Sequence, residues 1–178
     1  MRLEWMQPAA VMVVALGLSG CFGSRQPLIE PKDSVMAFGA EGRVKRVMYD
    51  QIGGPYTETV RFVWRQNAYV IELPRRGAEP DAYRLSKLEG DWLIWQKFDS
   101  ETAAYGLARL EGNRLWAYAP ECDQLSEKER ATLRLVVSTD GTCWIRDAEQ
   151  LRGAMRALAA RTPKVIGYYE VEILGARN

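Results

Sequence analysis

The sequence predicts a mainly β, α+β domain: an antiparallel meander or small barrel-like sheet, with one helix over about 147–161 and a last strand after it. Three observations carry this expectation. From Val60 onward, short runs alternate apolar with polar residues, the period of a half-buried strand. The runs are separated by Asn, Gly and Asp clusters that favour tight hairpin turns. A single clear stretch of helical spacing lies between a capping signal and a proline.

The elements follow in order. Val60, Phe62 and Trp64 share one strand face and Arg61 and Arg65 the other, and Arg65-Gln66-Asn67 turns the chain into a run with Tyr69, Ile71 and Leu73 on a common face. Tyr83 to Leu88 and Trp92 to Phe98 flank Glu89-Gly90-Asp91, a second hairpin. Ala104 to Leu110 and Arg114 to Tyr118 flank Glu111-Gly112-Asn113, a third. The sequence from Tyr83 repeats that from Tyr105 in part, as a duplicated hairpin or as two hairpins obeying the same turn rules. A helical turn is expected from Ser126 to Ala131, with Glu129 completing a capping box. Leu133, Leu135 and Val137 read as a strand leading to the Asp140-Gly141 turn and on to Ile145. Asp147 and Gln150 cap the main helix, Leu151, Met155 and Leu158 form its apolar stripe, and Thr162-Pro163 ends it. In the last strand Val165, Tyr169, Val171 and Ile173 point one way and Glu170 and Glu172 the other.

The N-terminal segment has a different character. Ala9 to Leu18 is ten residues without a charge, too short to span a bilayer but suited to a signal-peptide core. It ends in Leu18-Ser19-Gly20-Cys21, which resembles the lipobox of bacterial lipoproteins. The resemblance covers the first 21 residues and implies removal of 1–20, diacylglycerol on the Cys21 sulfur, and acylation, typically palmitate, of the new amine. In that class an Asp after the cysteine favours retention at the inner membrane. Phe22 stands there instead, so the resemblance implies the periplasmic face of the outer membrane. Residues 21–41, with Gly23, Ser24, Pro27 and Pro31, are expected as the lipidated cysteine and a tether, and 42–178 as a single β-rich domain.

With Cys21 lipidated, Cys122 and Cys143 remain as an even pair in an oxidising compartment, which predicts a disulfide. Charge and composition narrow the function. Lys and Arg total 24 against 23 Asp and Glu, and histidine is absent. A nearly neutral chain is a poor fit to nucleic acid. Without histidine, every Ser-His or Cys-His arrangement is excluded, and no metal-ligand spacing or cofactor motif is present, so no catalytic residue, metal or cofactor is assigned. The basic residues around the helix, Arg146, Arg152, Arg156, Arg161 and Lys164, read as a solvated face.

Both faces of the strand from Trp92 are apolar: Trp92, Ile94 and Phe98 on one, Leu93 and Trp95 on the other. That points either to a cup for an apolar ligand, involving Trp92, Trp95 or Trp116, or to a core on one side and helix packing on the other. The leading expectation is a non-catalytic binding or envelope-assembly lipoprotein, with the membrane as its anchor and an envelope protein, peptidoglycan or lipid as its partner. A carboxylate-dependent envelope enzyme and a structural spacer are the alternatives.

Overall fold

The computed structural model describes residues 22–50, 54–72, 79–98, 101–161 and 163–171. After a short strand β1 (Phe22–Ser24), seven strands run up and down in chain order: β2 (Glu41–Asp50), β3 (Gly54–Arg65), β4 (Ala68–Glu72), β5 (Asp81–Lys87), β6 (Trp92–Phe98), β7 (Ala103–Glu111) and β8 (Arg114–Tyr118). The chain then leaves through helix α1 (Glu127–Thr132), strands β9 (Val136–Val137) and β10 (Cys143–Trp144), and helix α2 (Ala148–Ala159). It returns as β11 (Val165–Val171), which fits between β8 and β2. β2 to β8 plus β11 form a closed eight-stranded barrel in which every neighbouring pair is antiparallel, the barrel form of the expected sheet. Closure satisfies the edge hydrogen bonds that an open sheet would expose.

The hairpins form where turn chemistry directs. Gln66 and Asn67 both take positive φ, as a two-residue turn matched to strand twist requires. The helices are capped as expected: Ser126 and Glu129 close a full capping box on α1, and the Asp147 carboxylate accepts from the Gln150 amide on α2. The Gln150 side chain reaches back to Arg146 N at 2.9 Å.

One strand went unread, and three expectations need correction. β2 carries no run that the alternation reading had found. Its lumen face is Gly42, Val44, Arg46 and Met48, and the charge at Arg46 breaks the pattern. First, Leu133 and Leu135 are not in a strand. Leu133 caps α1, Arg134 has φ 54°, and only Val136–Val137 pairs with β10. Second, Val165 does not share a face with Tyr169. The register shifts between Val165 and Gly167, a bulge that turns Ile166 into the barrel. Gly167 is required there, because a Cβ would come within 2.2 Å of the Val47 carbonyl. Leu73, Glu172 and Ile173 lie outside the described residues.

Third, residues 22–40 are not a tether. Phe22 and Ile29 are apolar side chains buried in a core, and Ser24 and Tyr105 hydroxyls meet at 2.6 Å. β1 pairs with the start of β7 where β8 no longer reaches, and β10 and β9 extend from it as a small flap. The chain then crosses the outside of β7 and β6, where the buried Gln96 carboxamide accepts from Leu28 N at 2.9 Å and Ile29 N at 2.8 Å. It turns at Pro31–Asp33 and passes over the barrel rim, with Val35 N donating to Leu85 O at 2.7 Å. This strap belongs to the fold, so the folded unit reaches back to Phe22. Cys21 itself, with the signal segment before it, lies outside the described residues.

The likeness between the Tyr83 and Tyr105 segments does not survive in three dimensions. Tyr83 and Leu85 face the lumen, whereas Tyr105 and Leu107 face outward under α2. Equivalent positions lie on opposite faces, so the two hairpins are paired in different registers.

Two cores result, one on each side of the β6–β7 wall. Inside the barrel, Val44, Val60, Phe62, Tyr69, Ile71, Leu85, Leu93, Ala108 and Leu115 pack together. Outside it, α2 lays Leu151, Ala154, Met155 and Leu158 over Ile94, Tyr105 and Leu107. The two apolar faces of β6 thus serve two different cores. Cys122 and Cys143 form a disulfide, Cα atoms 5.6 Å apart, within the outer core.

Candidate functional site

Alternation places every second barrel side chain in the lumen, and near the middle these side chains leave a cavity of about 170 Å³. Its wall is apolar for most of its extent. Val44 and Met48 come from β2, Phe62 from β3, Tyr69 and Ile71 from β4, Leu85 from β5, Leu115 and Ala117 from β8, and Ile166 from the β11 bulge. Small residues on β7 make the room, with Ala108 in the wall. Gly106 lies under Trp95, and a Cβ there would sit 2.4 Å from the indole. Trp95 is fixed by its Nε1 donating to Tyr118 O at 3.1 Å.

The two ends of the cavity differ. At the end with the tight β3–β4 and β7–β8 turns, the strap crosses the opening and inserts Phe38. The Phe38 ring packs 6.0 Å from Phe62 and 5.8 Å from Tyr69, centroid to centroid. Toward the opposite end, lumen positions become charged. Arg46 pairs with Glu58 on the next strand, and its Nη2 donates to the Tyr56 hydroxyl at 2.9 Å. Asp81 on β5 lies 2.6 Å from Lys97 on β6 and 3.8 Å from Arg46, and accepts from the Tyr83 hydroxyl at 3.3 Å. Tyr169, from β11 on the far side of the ring from β5, interacts with both Arg46 and Tyr83. Phenols and ion pairs together form a bar across the lumen.

The electrostatics follow from burial. Burial opposes the Arg46 charge, but Tyr169, Tyr56 and Glu58 outweigh it and hold the guanidinium above its ordinary pKa. Burial pushes the Tyr83 and Tyr169 phenols up, so both stay neutral. Two cations and two carboxylates balance, and the bar carries no net charge.

Of the three tryptophans singled out in the sequence, the structure brings only Trp95 to the cavity. Trp92 and Trp116 are corrected to the outside of the barrel, because Trp92 pairs with Arg109 and Arg109 with Trp116, on the outward register. Trp92 packs 5.1 Å from Tyr118, and Trp116 packs 4.9 Å from Tyr168. Sequence reasoning missed Arg46, Glu58, Asp81, Lys97, Tyr83 and Tyr169. A signal existed: on three strands an alternating apolar face ends in a charge, as in Leu93-Trp95-Lys97 and Phe62-Val60-Glu58. Among the described residues, no three Cys, Asp or Glu side chains are grouped to hold a metal ion, and no helix is long and apolar enough to cross a membrane. Comparison with protein-family models, curated proteins and solved structures found no match to this chain.

Proposed function

We propose that this chain is a lipoprotein of the bacterial envelope, anchored through Cys21, whose barrel binds a small apolar group. The observation that carries the binding reading is the cavity of about 170 Å³ with its apolar wall. An apolar cavity of about 150 Å³ in another protein stays dry and takes up benzene. The ligand part held here is therefore about one ring or a short, branched hydrocarbon segment, not a whole lipid. Lys97, Tyr83 and Tyr169 line the same space, and Lys97, paired with Asp81, keeps further N–H donors for a polar end of that ligand. Binding rather than turnover is supported by the carboxylates nearest the cavity: Glu58 is tied to Arg46, and Asp81 to Lys97 and Tyr83.

Bromobenzene tests the reading, since it matches the cavity in size and its heavy atom quenches a neighbouring indole. Quenching of tryptophan emission should saturate. It should disappear in Trp95→Phe and persist in Trp92→Phe and Trp116→Phe. Linear, non-saturating quenching would remove the binding reading. The anchor is tested separately: protein extracted from its envelope should begin at Cys21 and carry the mass of acyl chains. Normal processing of a Cys21→Ser variant would rule the anchor out.

A further inference from the structure

Resting on that binding reading, we propose that the strap, residues 34–40, is the lid through which the apolar group reaches the lumen, with Phe38 as its stopper and the Tyr69 hydroxyl as its latch. A closed barrel admits a ligand only through its ends or by breaking its ladder. One end is barred by Arg46, Glu58, Asp81, Lys97, Tyr83 and Tyr169, and opening it separates buried charges. A charge left without its partner in such a place is strongly disfavoured. At the other end, the group filling the opening is a hydrocarbon ring, and moving it strands no charge.

The strap is also lightly held. Val35 N bonds Leu85 O at 2.7 Å on one side of the opening, and Ala40 O accepts from Trp64 N at 2.6 Å on the other. Between them the Tyr69 hydroxyl takes the Phe38 amide at 2.7 Å and donates to the Phe38 carbonyl at 3.1 Å. One side-chain hydroxyl thus satisfies both backbone groups of the residue that plugs the cavity. Gly39 follows it, with only the Glu41 carbonyl near where a Cβ would stand, and serves as the hinge. Met36, 47% exposed, lies on the outer side of the lid.

The test is stopped-flow quenching of tryptophan emission by bromobenzene in the full chain, kept unlipidated by Cys21→Ser. Tyr69→Phe removes the latch and should raise both association and dissociation rates by about tenfold or more, the scale of the two hydrogen bonds lost. Phe38→Leu, which keeps the lid apolar but shrinks its stopper, should accelerate both in the same direction and stands in if Tyr69→Phe does not fold. Rates within twofold of the parent in the folded variants, with saturable quenching intact, would overturn the lid alone. Acceleration in the paired variant Arg46→Met and Glu58→Gln, with Tyr69→Phe unchanged, would move the portal to the other end and overturn it too. No saturable quenching in the parent would overturn the binding reading and the lid together.

Discussion

The β6–β7 wall has a core on each side, built from adjacent residues of the same strands, and the two cores are packed to different standards. Outward, Ile94, Tyr105 and Leu107 meet α2, the disulfide and β1, and Phe22, Leu107, Met155 and Leu158 have no accessible surface left. Inward, Leu93, Trp95 and Ala108 face a lumen that stays partly empty, with charges at one end and a single-ring plug at the other. Close packing is the norm for protein interiors, so the void is the exception that calls for a role. The comparison teaches a division of labour: the outer core holds the wall rigid, which lets the inner face forgo packing and keep a cavity.

This division predicts unequal costs for equal deletions. Leu107→Ala in the outer core should destabilise the fold by about 3–5 kcal/mol, since the fully enclosed site cannot collapse. Leu115→Ala on the cavity wall should cost about 2 kcal/mol, toward the lower end of such deletions, and should admit a larger aromatic probe. Urea unfolding of both variants gives the answer, and equal losses would break the comparison. Opening the disulfide should come next. Cys122 and Cys143 lie 21 residues apart, and a loop of that size contributes about 3 kcal/mol in the chain-entropy account. Because the bond sits in the outer core, a Cys122→Ser and Cys143→Ser pair should lower the urea midpoint while leaving saturable bromobenzene quenching in place. Loss of quenching in a protein that remains folded would mean that the two cores are not separable.

How much of this was legible in the sequence depends on which side of the wall a residue serves. The hairpins β3–β4, β5–β6 and β7–β8 and the caps of α1 and α2 are local, set by turn residues and capping side chains within a few positions. The disulfide followed from setting Cys21 aside as the expected lipid site, which leaves Cys122 and Cys143 as a pair. That β6 would be apolar on both faces was also legible, but period two says only that Trp95 and Trp92 are opposed, not which one faces a lumen. That assignment needs barrel closure, a set of pairings between distant strands. Arg46 was hidden for the same reason. Its counter-ions Glu58 and Asp81 come from β3 and β5, so on β2 alone it looks like a break in the strand pattern. The strap was misread because Pro27, Pro31 and the small residues before them resemble linker composition. The groups that hold it down, Tyr105, Gln96, Leu85 and Tyr69, are supplied from far along the chain.

The smallest effect expected concerns how the insertion between β8 and β11 is fastened, outside both cores. Glu129 is half-buried on α1, and its carboxyl is lowered to about 2. The causes, largest first, are the Arg161 guanidinium and then the Ser126 hydroxyl and amide of its capping box. Arg161 lies just past α2, so this carboxylate ties the end of the long helix to the start of the short one. A carboxyl whose pKa is lower in the folded state binds its proton more readily when unfolded. Its contribution is therefore complete above about 4.5, the ordinary value, and is lost as pH falls from there toward about 2. Glu129→Gln should leave the urea midpoint slightly below the parent at pH 7, with the gap narrowing as pH falls through that window. Because the carboxyl keeps about a third of its surface in solvent, salt should shrink the same gap. Bromobenzene quenching should not change with pH in step with it, since the pair touches neither the bar nor the lid. A gap that stayed constant between pH 6 and pH 2.5 would show that Glu129 acts through its uncharged capping contacts, not through Arg161.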